Sequence, residues 1–570
     1  MSLALPSAIF RFVVRSTTCA LLGLALVPRA AAAGSATLGW HANGEPEIAG
    51  YRLVYGTQPG NHTLEIDVGN RTTFTVTDLE SGRYYFAVTA YNTAGMTSRP
   101  SSELQVTIPP PSESPPPADP PTTAHRGYFA EGVEADGFET RFALLNPTDD
   151  PAAVTMIFQD EEGTEHTRAV DLGPRTRATI IAARDLPALT GRPFSTRVEA
   201  DAPVVVDRTV TWRPGREGGG REGAHLETML AAPSTRWYFT EGMTLPGLDL
   251  FYYVHNPQDA PAELRVTSLL TEGRSPETRR YTIAPRSRLT IWVNDEGHPP
   301  SGGELSAIVE SINGVPVVAE RALYLSDRGE PFVAGTASGG AAAPSTQWYF
   351  GGGETGDYFD LFLALANPHD TAAEVRATYL LPTGRTVQRT YALEPRSRKT
   401  VYVDHEGADL SHTSMSTVLE STNGVSFLAE RSTWWPGSPA GRWHGSHGTV
   451  GATRTSTRWA LAEGEVGGPA RLRTYLFVAN TSPTVGTARV TLLFEDGSSA
   501  MRTYELPARS HTSISVARDF PESKNRRFGA LVESVGKTPA ALVVERALYW
   551  NANGRRRAAG AAALGSPLRR

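Results

Sequence analysis

Cysteine is almost absent from this 570-residue chain, which contains one, Cys19. A disulfide framework is therefore excluded, and each domain must be stabilised by its own core. Positive charge is also in short supply, because 54 Lys and Arg stand against 60 Asp and Glu, a net charge of −6. This balance argues against nucleic-acid binding, which usually needs a basic stripe.

The first 33 residues have the order of an export signal. Arg11 and Arg15 supply a positive start, "CALLGLALV" an apolar stretch, and Ala31 to Ala33 a cleavage site of small residues. The apolar stretch is too short for a lasting membrane span, although a retained short anchor is the alternative. We expect a cleaved signal peptide at residues 1–33, an extracellular or cell-surface location, and no membrane insertion of the mature chain. Export without cysteine favours a bacterial protein.

Residues 34–108 form a first unit of short apolar-polar alternating runs punctuated by Gly, Pro, Asn and Asp. That pattern predicts a small antiparallel β-sandwich. Trp40, "YRLVYGT" and "LESGRYYFAVTAYNTAG" resemble a fibronectin type III domain. In this resemblance Tyr84 is the tyrosine-corner residue, whose hydroxyl ties a loop to the backbone. The resemblance implies a spacer or binding module.

A proline-rich linker follows at residues 109–125, with eight prolines between positions 109 and 121. Such a segment favours polyproline II and predicts a semi-rigid spacer of about 40 Å.

The remainder contains four copies of one unit. "LLNP", "VHNP", "LANP" and "VANT" place Asn146, Asn256, Asn367 and Asn480 at successive spacings of 110, 111 and 113 residues. Further phrases recur in the same order, which indicates tandem duplication. We call the copies repeat 1 (residues 126–233), repeat 2 (234–344), repeat 3 (345–455) and repeat 4 (456–570, with a basic tail). They resemble an uncharacterised repeat of secreted bacterial proteins, which implies no activity.

Repeat 2 contains seven strand candidates, "RWYF", "LFYYVH", "ELRVTSLL", "RRYTIA", "RLTIWV", "LSAIVES" and "VPVVAERALYL". Seven short strands in about 110 residues predict an immunoglobulin-like sandwich. Asn313-Gly314 predicts a hairpin between the last two, with Glu310 opposite Val317. The fold class is therefore all-β: tandem immunoglobulin-like or fibronectin III-like sandwiches, arranged as beads on a string.

The phrase "WYFTEG" begins repeat 2 and recurs in variant form in the other copies. Glu241 of this phrase and Glu310 could act as the two carboxylates of a glycoside hydrolase. However, Gly352 stands at the place of Glu241 in repeat 3, and an enzyme rarely needs four equivalent sites. The aromatics are better explained as a first core strand, so we predict no catalytic residue and no enzyme activity.

Recurrent Glu and Arg residues near the end of each copy have two interpretations, a structural ion network or a ligand site. Charges among valines must be paired or hydrogen-bonded, which favours the network, and the arginines of "PRSR" are further candidate members. The predicted structural residues, with Trp40 and Tyr84 of the first unit, are Glu199, Glu310, Glu420, Glu533, Arg208, Arg321, Arg431 and Arg546.

One aromatic cluster, "STWWPGSPAGRWHGSHG" in repeat 3, differs from its sister copies. Trp434, Trp435, Trp443 and His444 could stack a sugar ring, because Trp offers a large rigid apolar plane with one donor. Packing within a loop is the alternative. His444 and His447 lack a nearby carboxylate or cysteine to complete a metal site, so no metal and no cofactor is predicted.

These patterns together predict a non-catalytic secreted or cell-surface scaffold that adheres to an extracellular protein or polysaccharide surface. A polysaccharide-binding accessory protein is the alternative, and an extracellular glycoside hydrolase is a second one. No nucleic-acid partner is expected.

Overall fold

A computed structural model describes the protein over residues 14–17, 34–43, 47–79, 82–108, 125–135, 137–213, 223–270, 276–295, 303–327, 329–436, 443–552 and 555–568. The chain divides into two compact units, Met1–Asp119 and Pro120–Arg570. Apart from Val14–Thr17, the predicted signal peptide lies outside the described residues, as does the proline-rich linker up to residue 124. No helix among the described residues is long and apolar enough to cross a membrane.

The first unit is a sandwich of two antiparallel sheets. Its strands are β1 (Val14–Thr17), β2 (Gly34–Gly39), β3 (Ile48–Gly56), β4 (Leu64–Gly69), β5 (Thr73–Leu79), β6 (Gly82–Asn92) and β7 (Leu104–Ile108). One sheet has the order β1-β2-β5 and the other β4-β3-β6-β7. Inward-facing side chains such as Trp40, Leu53 and Phe86 form the core between the sheets, as the alternating pattern predicts.

The second unit contains the four repeats. Repeat 1 has β8 (His125–Phe129), β9 (Phe138–Leu145), β10 (Ala152–Asp160), β11 (Glu165–Leu172), β12 (Arg177–Ile181), α1 (Ala182–Asp185), a 3₁₀ turn (Pro187–Leu189), β13 (Phe194–Ala200), β14 (Val205–Trp212) and β15 (Gly223–Thr228). Repeat 2 has β16 (Arg236–Phe239), β17 (Leu248–Asn256), β18 (Ala262–Leu270), β19 (Glu277–Ile283), β20 (Ser287–Trp292), β21 (Leu305–Ser311), β22 (Val318–Asp327) and β23 (Glu330–Gly339).

The last two repeats follow the same plan. Repeat 3 has β24 (Gln347–Phe350), β25 (Asp360–Asn367), β26 (Ala373–Leu380), β27 (Thr386–Leu393), β28 (Ser397–Tyr402), a 3₁₀ turn (Val403–His405), β29 (Ser416–Ser421), β30 (Leu428–Trp435) and β31 (Gly445–Val450). Repeat 4 has β32 (Arg458–Leu461), β33 (Glu465–Val466), β34 (Arg473–Asn480), β35 (Gly486–Phe494), β36 (Ser499–Leu506), β37 (Ser510–Ser515), α2 (Val516–Asp519), a 3₁₀ turn (Pro521–Ser523), β38 (Arg526–Val535), β39 (Leu542–Ala552), β40 (Arg555–Leu564) and β41 (Ser566–Pro567).

Each repeat is a sandwich of two antiparallel sheets, so the predicted class of tandem β-sandwiches is confirmed. In repeat 2 the sheets have the orders β16-β21-β18-β19 and β20-β17-β22-β23, and the other repeats share this plan. All seven predicted strands of repeat 2 are present. An eighth strand, β23, was not predicted, because "GTASGG" is poor in the β-branched and aromatic residues that signal a strand.

The hairpin predicted at Asn313-Gly314 is wrong. Gly314 does adopt a left-handed turn conformation, with φ of 79°. However, β21 and β22 lie in opposite sheets of the sandwich, so Glu310 does not pair with Val317. Glu310 instead lies opposite Arg236 of β16 and Arg265 of β18, because the turn carries the chain from one sheet to the other.

We number strands within a repeat as in repeat 2 and leave out the short extra strand β33 of repeat 4, so that the seventh strands are β14, β22, β30 and β39 and the eighth strands are β15, β23, β31 and β40. The four eighth strands pack together. β15 and β31 each contact both β23 and β40, which closes a cycle through all four repeats. Side chains at this centre are mostly small, for example Ala337 and Ala561, which are 1% and 0% exposed. The repeats therefore form one compact unit and are not separate beads, because their central strands and sheet faces are buried against each other.

Candidate functional site

Successive repeats contact each other through a buried acid–arginine pair, and we call each such contact a seam. At every seam a carboxylate from the seventh strand of one repeat binds an arginine from the seventh strand of the preceding repeat. The four pairs are Arg208–Glu320 at 2.6 Å, Arg321–Glu430 at 2.8 Å, Arg431–Glu545 at 2.7 Å and Arg546–Asp207 at 3.0 Å. The predicted structural arginines thus all lie at seams.

The seam between repeats 1 and 2 explains the recurrent "EG" phrase. Glu320 accepts hydrogen bonds from the backbone N–H groups of Ala130 and Glu131 at 3.1 and 2.7 Å. The Glu131 side chain in turn accepts from Arg208 Nη2 at 2.9 Å and lies 3.2 Å from His225 Nε2. Burial acts to raise the pKa of Glu131, but His225 and Arg208 lower it to about 2. The phrase therefore anchors a seam, and Glu241 has the same role beside Arg321 at 3.2 Å.

The third seam lacks this second carboxylate, because Gly352 replaces Glu241 in repeat 3. Glu545 accepts hydrogen bonds from the N–H groups of Gly351 and Gly352 at 2.8 and 3.2 Å. The Gly352 carbonyl oxygen accepts from Arg431. One carboxylate therefore balances one buried arginine at this seam.

The seam between repeats 4 and 1 closes the cycle. Asp207 Oδ2 accepts from the backbone N–H groups of Ala462 and Glu463 at 2.6 and 2.8 Å. Glu463 binds Arg141 and Arg177 of repeat 1 at 2.8 and 3.0 Å. Burial acts to raise the pKa of Glu463, but these two arginines lower it to about 2.

The second basic residue of the "PRSR" phrase also crosses a seam in each repeat. Arg288 binds Glu161 of repeat 1 at 2.8 Å, and Arg398 binds Glu304 of repeat 2. Arg177 binds Glu463 of repeat 4, and His511 Nδ1 lies 2.9 Å from Ser416 Oγ of repeat 3. The "PRSR" residues therefore contribute to the seams.

The glutamates of the "VES" phrase belong to a separate row, which corrects the prediction of one network with the seam arginines. Glu310 binds Arg236 and Arg265 on the outer face of its sheet and is not joined to Arg321. The equivalent pairs are Glu199–Arg126, Glu199–Arg197, Glu420–Arg376, Glu533–Arg458 and Glu533–Arg489. Except for Glu199–Arg197, which lies within β13, these pairs join neighbouring strands, whereas the arginines of the "ER" phrase lie in the opposite sheet.

One buried carboxylate at the centre has few partners that would stabilise its negative charge. Glu227 of β15 is 7% exposed, and its Oε2 accepts from Gly339 N at 3.1 Å. Burial and the nearby Glu320 carboxylate raise its pKa well above the ordinary 4.5. The equivalent positions opposite the seam arginines hold Ser338, Thr449 and Ala563, so only repeat 1 carries this acid.

The aromatic cluster of repeat 3 does not form the sugar-stacking surface that the sequence suggested. Trp434 and Trp435 are 5% and 0% exposed, so neither presents an open ring face. Trp443 is half-buried, 5.0 Å from Trp434, and donates from Nε1 to Asp360 Oδ2 at 2.7 Å. His444 is half-buried and its N–H donates to the Trp435 carbonyl oxygen at 2.7 Å. Trp434 and Trp443 pack against the core of repeat 2, and Trp435 packs with Tyr549 of repeat 4.

An exposed tryptophan that the sequence analysis missed lies in repeat 2. Trp292 is 42% exposed, stacks on Phe251 with ring centroids 5.7 Å apart, and donates from Nε1 to Asp249 Oδ1 at 3.1 Å. The available signal was its outward position at the end of β20, where the sister copies have Ile181, Tyr402 and Ser515.

In the first unit, Trp40 is 5% exposed and packs edge-to-face on Tyr51 at 5.8 Å. Tyr84 is 9% exposed. A hydroxyl-to-backbone tie is present at Tyr51, whose Oη accepts from Asn43 N at 2.8 Å. Within the described residues, no cluster of three or more His, Cys, Asp or Glu side chains is arranged to hold a metal ion.

The fold and the seams together define a modular all-β protein of tandem sandwiches. Residues 27–107 match the family model of the fibronectin type III domain. The chain is 45% identical over 74 residues to a Kelch domain-containing protein of Saccharolobus solfataricus, a match that covers 13% of this chain and 10% of that protein.

Two solved structures are among those found to be similar to this chain. One is a human fibronectin type III domain with 20% identity and a TM-score of 0.14; the match covers 20% of this chain and 98% of that domain's chain. A tetra-tandem repeat from the extending region of a large adhesion protein is 10% identical and covers 74% of this chain and 96% of its own, with a TM-score of 0.10. At these scores the likenesses carry no argument about this chain.

Proposed function

We propose that the protein is an exported, non-catalytic interaction scaffold in which the four repeats act as one rigid binding body. The observation that carries this proposal is the closure of the cycle by Asp207 and Arg546, which joins the last repeat to the first. Loops held on a rigid framework bind at a lower ordering cost than loops on flexibly linked domains.

The state of the carboxylates supports a non-catalytic role. Glu241 and Glu310, the residues considered for glycoside hydrolysis, are each bound by arginine. A general acid for that chemistry needs a raised pKa, whereas burial acts to raise the pKa of Glu310 but its two arginine partners lower it.

Export is part of the proposal, and the order of the first 33 residues supports it. Expression in a secreting host followed by N-terminal sequencing is expected to give a mature chain that begins at Gly34. A chain that keeps its first residues in the medium or membrane fraction would contradict cleavage.

Binding to a partner tests the scaffold directly. The mature chain, immobilised on a biosensor, is expected to bind envelope material of the producing organism saturably, and to lose that binding when the material is treated with protease. Loss after glycan oxidation instead would identify a polysaccharide partner, and no binding in either case would contradict the proposal.

A matched pair of variants asks whether the closed cycle matters. Asp207→Asn weakens the closing seam, whereas Asp259→Asn removes a carboxylate from an exposed pair with Arg286. Binding is expected to fall for the first variant and to stay unchanged for the second. Equal binding by both variants would show that closure does not support the interaction.

A further inference from the structure

In repeat 3, Phe362, Tyr402 and Asp360 form a surface that we call the aromatic frame, and two other side chains of the same repeat, Trp443 and His405, cover it. Tyr402 stacks on Phe362 at 4.7 Å, and its hydroxyl donates to Asp360 Oδ1 at 2.5 Å. Trp443 donates to the other oxygen, Asp360 Oδ2, at 2.7 Å. The His405 imidazole packs on the Tyr402 ring with centroids 4.1 Å apart. In this frame, therefore, the Tyr402 ring contacts a flat nitrogen-bearing group, and the Asp360 carboxylate accepts a hydrogen bond from an N–H donor.

Repeat 2 contains an equivalent frame, but the residues that would cover it differ from those of repeat 3. Trp292 lies opposite Phe251 as Tyr402 lies opposite Phe362, and it binds Asp249 Oδ1 at 3.1 Å. Three residues further along the chain, where repeat 3 has His405, repeat 2 has the exposed Asp295. Trp292 consequently remains 42% exposed.

The strand register identifies a second difference. Trp443 lies two residues before Gly445, which pairs with Trp435, and Phe332 lies two residues before Ala334, which pairs with Leu325. The phenylalanine side chain has no N–H group to donate. Phe332 instead packs on Tyr324, with centroids 4.8 Å apart.

We propose that Trp292, Asp249 and Asp295 form a binding site for the guanidinium group of an arginine side chain on a partner protein. An indole face is the best aromatic surface for a cation. A planar guanidinium carries five N–H donors and pairs with carboxylates while it stacks. This site deepens the proposed interaction role and rests on it, because it names the chemistry of the partner.

Charge favours arginine over a sugar at this position. A sugar ring would also stack on Trp292, but it would bring no positive charge to the two carboxylates. The frame in repeat 3 is occupied by nitrogen-bearing aromatic side chains, which a guanidinium matches in flatness and in donor geometry.

Indole NMR of the mature full-length chain tests the site. The ten Trp residues give ten indole N–H signals, and Trp292→Phe identifies the signal of Trp292 by its loss. Titration with N-acetyl-arginine methylamide is expected to shift this signal saturably. Asp249→Asn is expected to weaken that binding about fivefold, the change that one exposed cation or ion-pair contact gives.

Asp360→Asn, in the covered frame of repeat 3, is the matched control and is expected to leave the titration unchanged. The proposal is overturned if the arginine amide gives no saturable shift, or if methyl glucoside shifts the signal at equal or lower concentration. Because envelope binding is read separately, a chain that binds the amide but no envelope protein keeps this site and loses the proposed scaffold role.

Discussion

Glu545 and Glu310 are both ion-paired glutamates, but they lie in different environments. Glu545 is fully buried against Arg431, whereas the arginine side chains that bind Glu310 are 49% and 43% exposed. Removing one member of a buried pair leaves a charge without compensation in a low-dielectric interior, and solvent screens an exposed pair. The two glutamate positions recur with nearly the same spacing along the chain, but they differ in burial and therefore in their expected contribution to stability.

Glu545→Gln is accordingly expected to lower the free energy of unfolding by about 3 kcal/mol or more. Glu310→Gln, the matched variant, is expected to lower it by about 1 kcal/mol or less. Urea titration monitored by tryptophan fluorescence measures both. Equal losses would contradict the assignment of Glu545 to a buried seam.

Glu227 gives the protein a pH dependence of the opposite sign to an ordinary ion-paired acid. Its raised pKa means that the folded state holds the proton more tightly than the unfolded state does. Stability is therefore retained below the ordinary value of 4.5 and falls as the pH rises from there through the raised pKa. Glu320 faces this carboxylate and adds to the effect, while Arg208 and Arg321 oppose it.

Glu227→Gln should remove that penalty and keep the acceptor for Gly339 N. The stability of this variant relative to the native chain is expected to increase with pH, which urea titrations at pH 4, 6 and 8 would measure. Glu310→Gln serves as the control. Because the pKa of Glu310 is lowered, that variant is expected to lose relative stability over the same rise. A difference for Glu227→Gln that does not change with pH would refute this account.

At the scale of elements, the eighth strands need small side chains because four of them meet at the centre. Ala561 of β40 is fully buried there. Ala561→Leu adds three carbon atoms to a closely packed interior and is expected to cost about 1–3 kcal/mol. Thr503→Leu, at an exposed position of β36, should change stability by about 0.5 kcal/mol or less. Similar effects on the thermal midpoint would count against tight central packing.

The sequence predicts the strands that alternate and overlooks those that do not. "LFYYVH" and "ELRVTSLL" contain enough large apolar residues to predict β17 and β18. The eighth strands β23 and β40 contain mostly Ala, Gly, Ser and Thr, and their stability comes from contacts with other repeats, which local pattern does not encode. The turn at Gly314 was recognised, but whether a turn stays within a sheet or crosses to the other depends on tertiary packing.

The candidate site, too, could be predicted from the sequence only in part. Arg208 and Arg321 were predicted to need partners because charges among valines must be paired. Their actual partners, Glu320 and Glu430, come from the next repeat and not from the "VES" phrase. The burial of Trp434 depends on the core of the neighbouring repeat 2, against which it packs, so spacing within one copy could not predict it.

At the scale of the whole second unit, a closed cycle predicts that no repeat can be removed alone. Deleting repeat 4 would uncover Ala143, Leu145 and Val205 of repeat 1, which pack against it. It would also uncover Phe359 and Trp435 of repeat 3. Soluble monomers rarely expose contiguous apolar patches of this kind.

A chain ending at residue 455 is therefore expected to self-associate, whereas the full chain should sediment as one species. Deletion of residues 34–119, which removes the first compact unit, is the matched control and should leave the repeats monomeric. Sedimentation velocity over a range of concentrations distinguishes these outcomes. If the chain lacking repeat 4 stayed monomeric, with the amide-exchange protection of repeats 1 and 3 unchanged, the repeats would be independent domains and the seams would contribute little to stability.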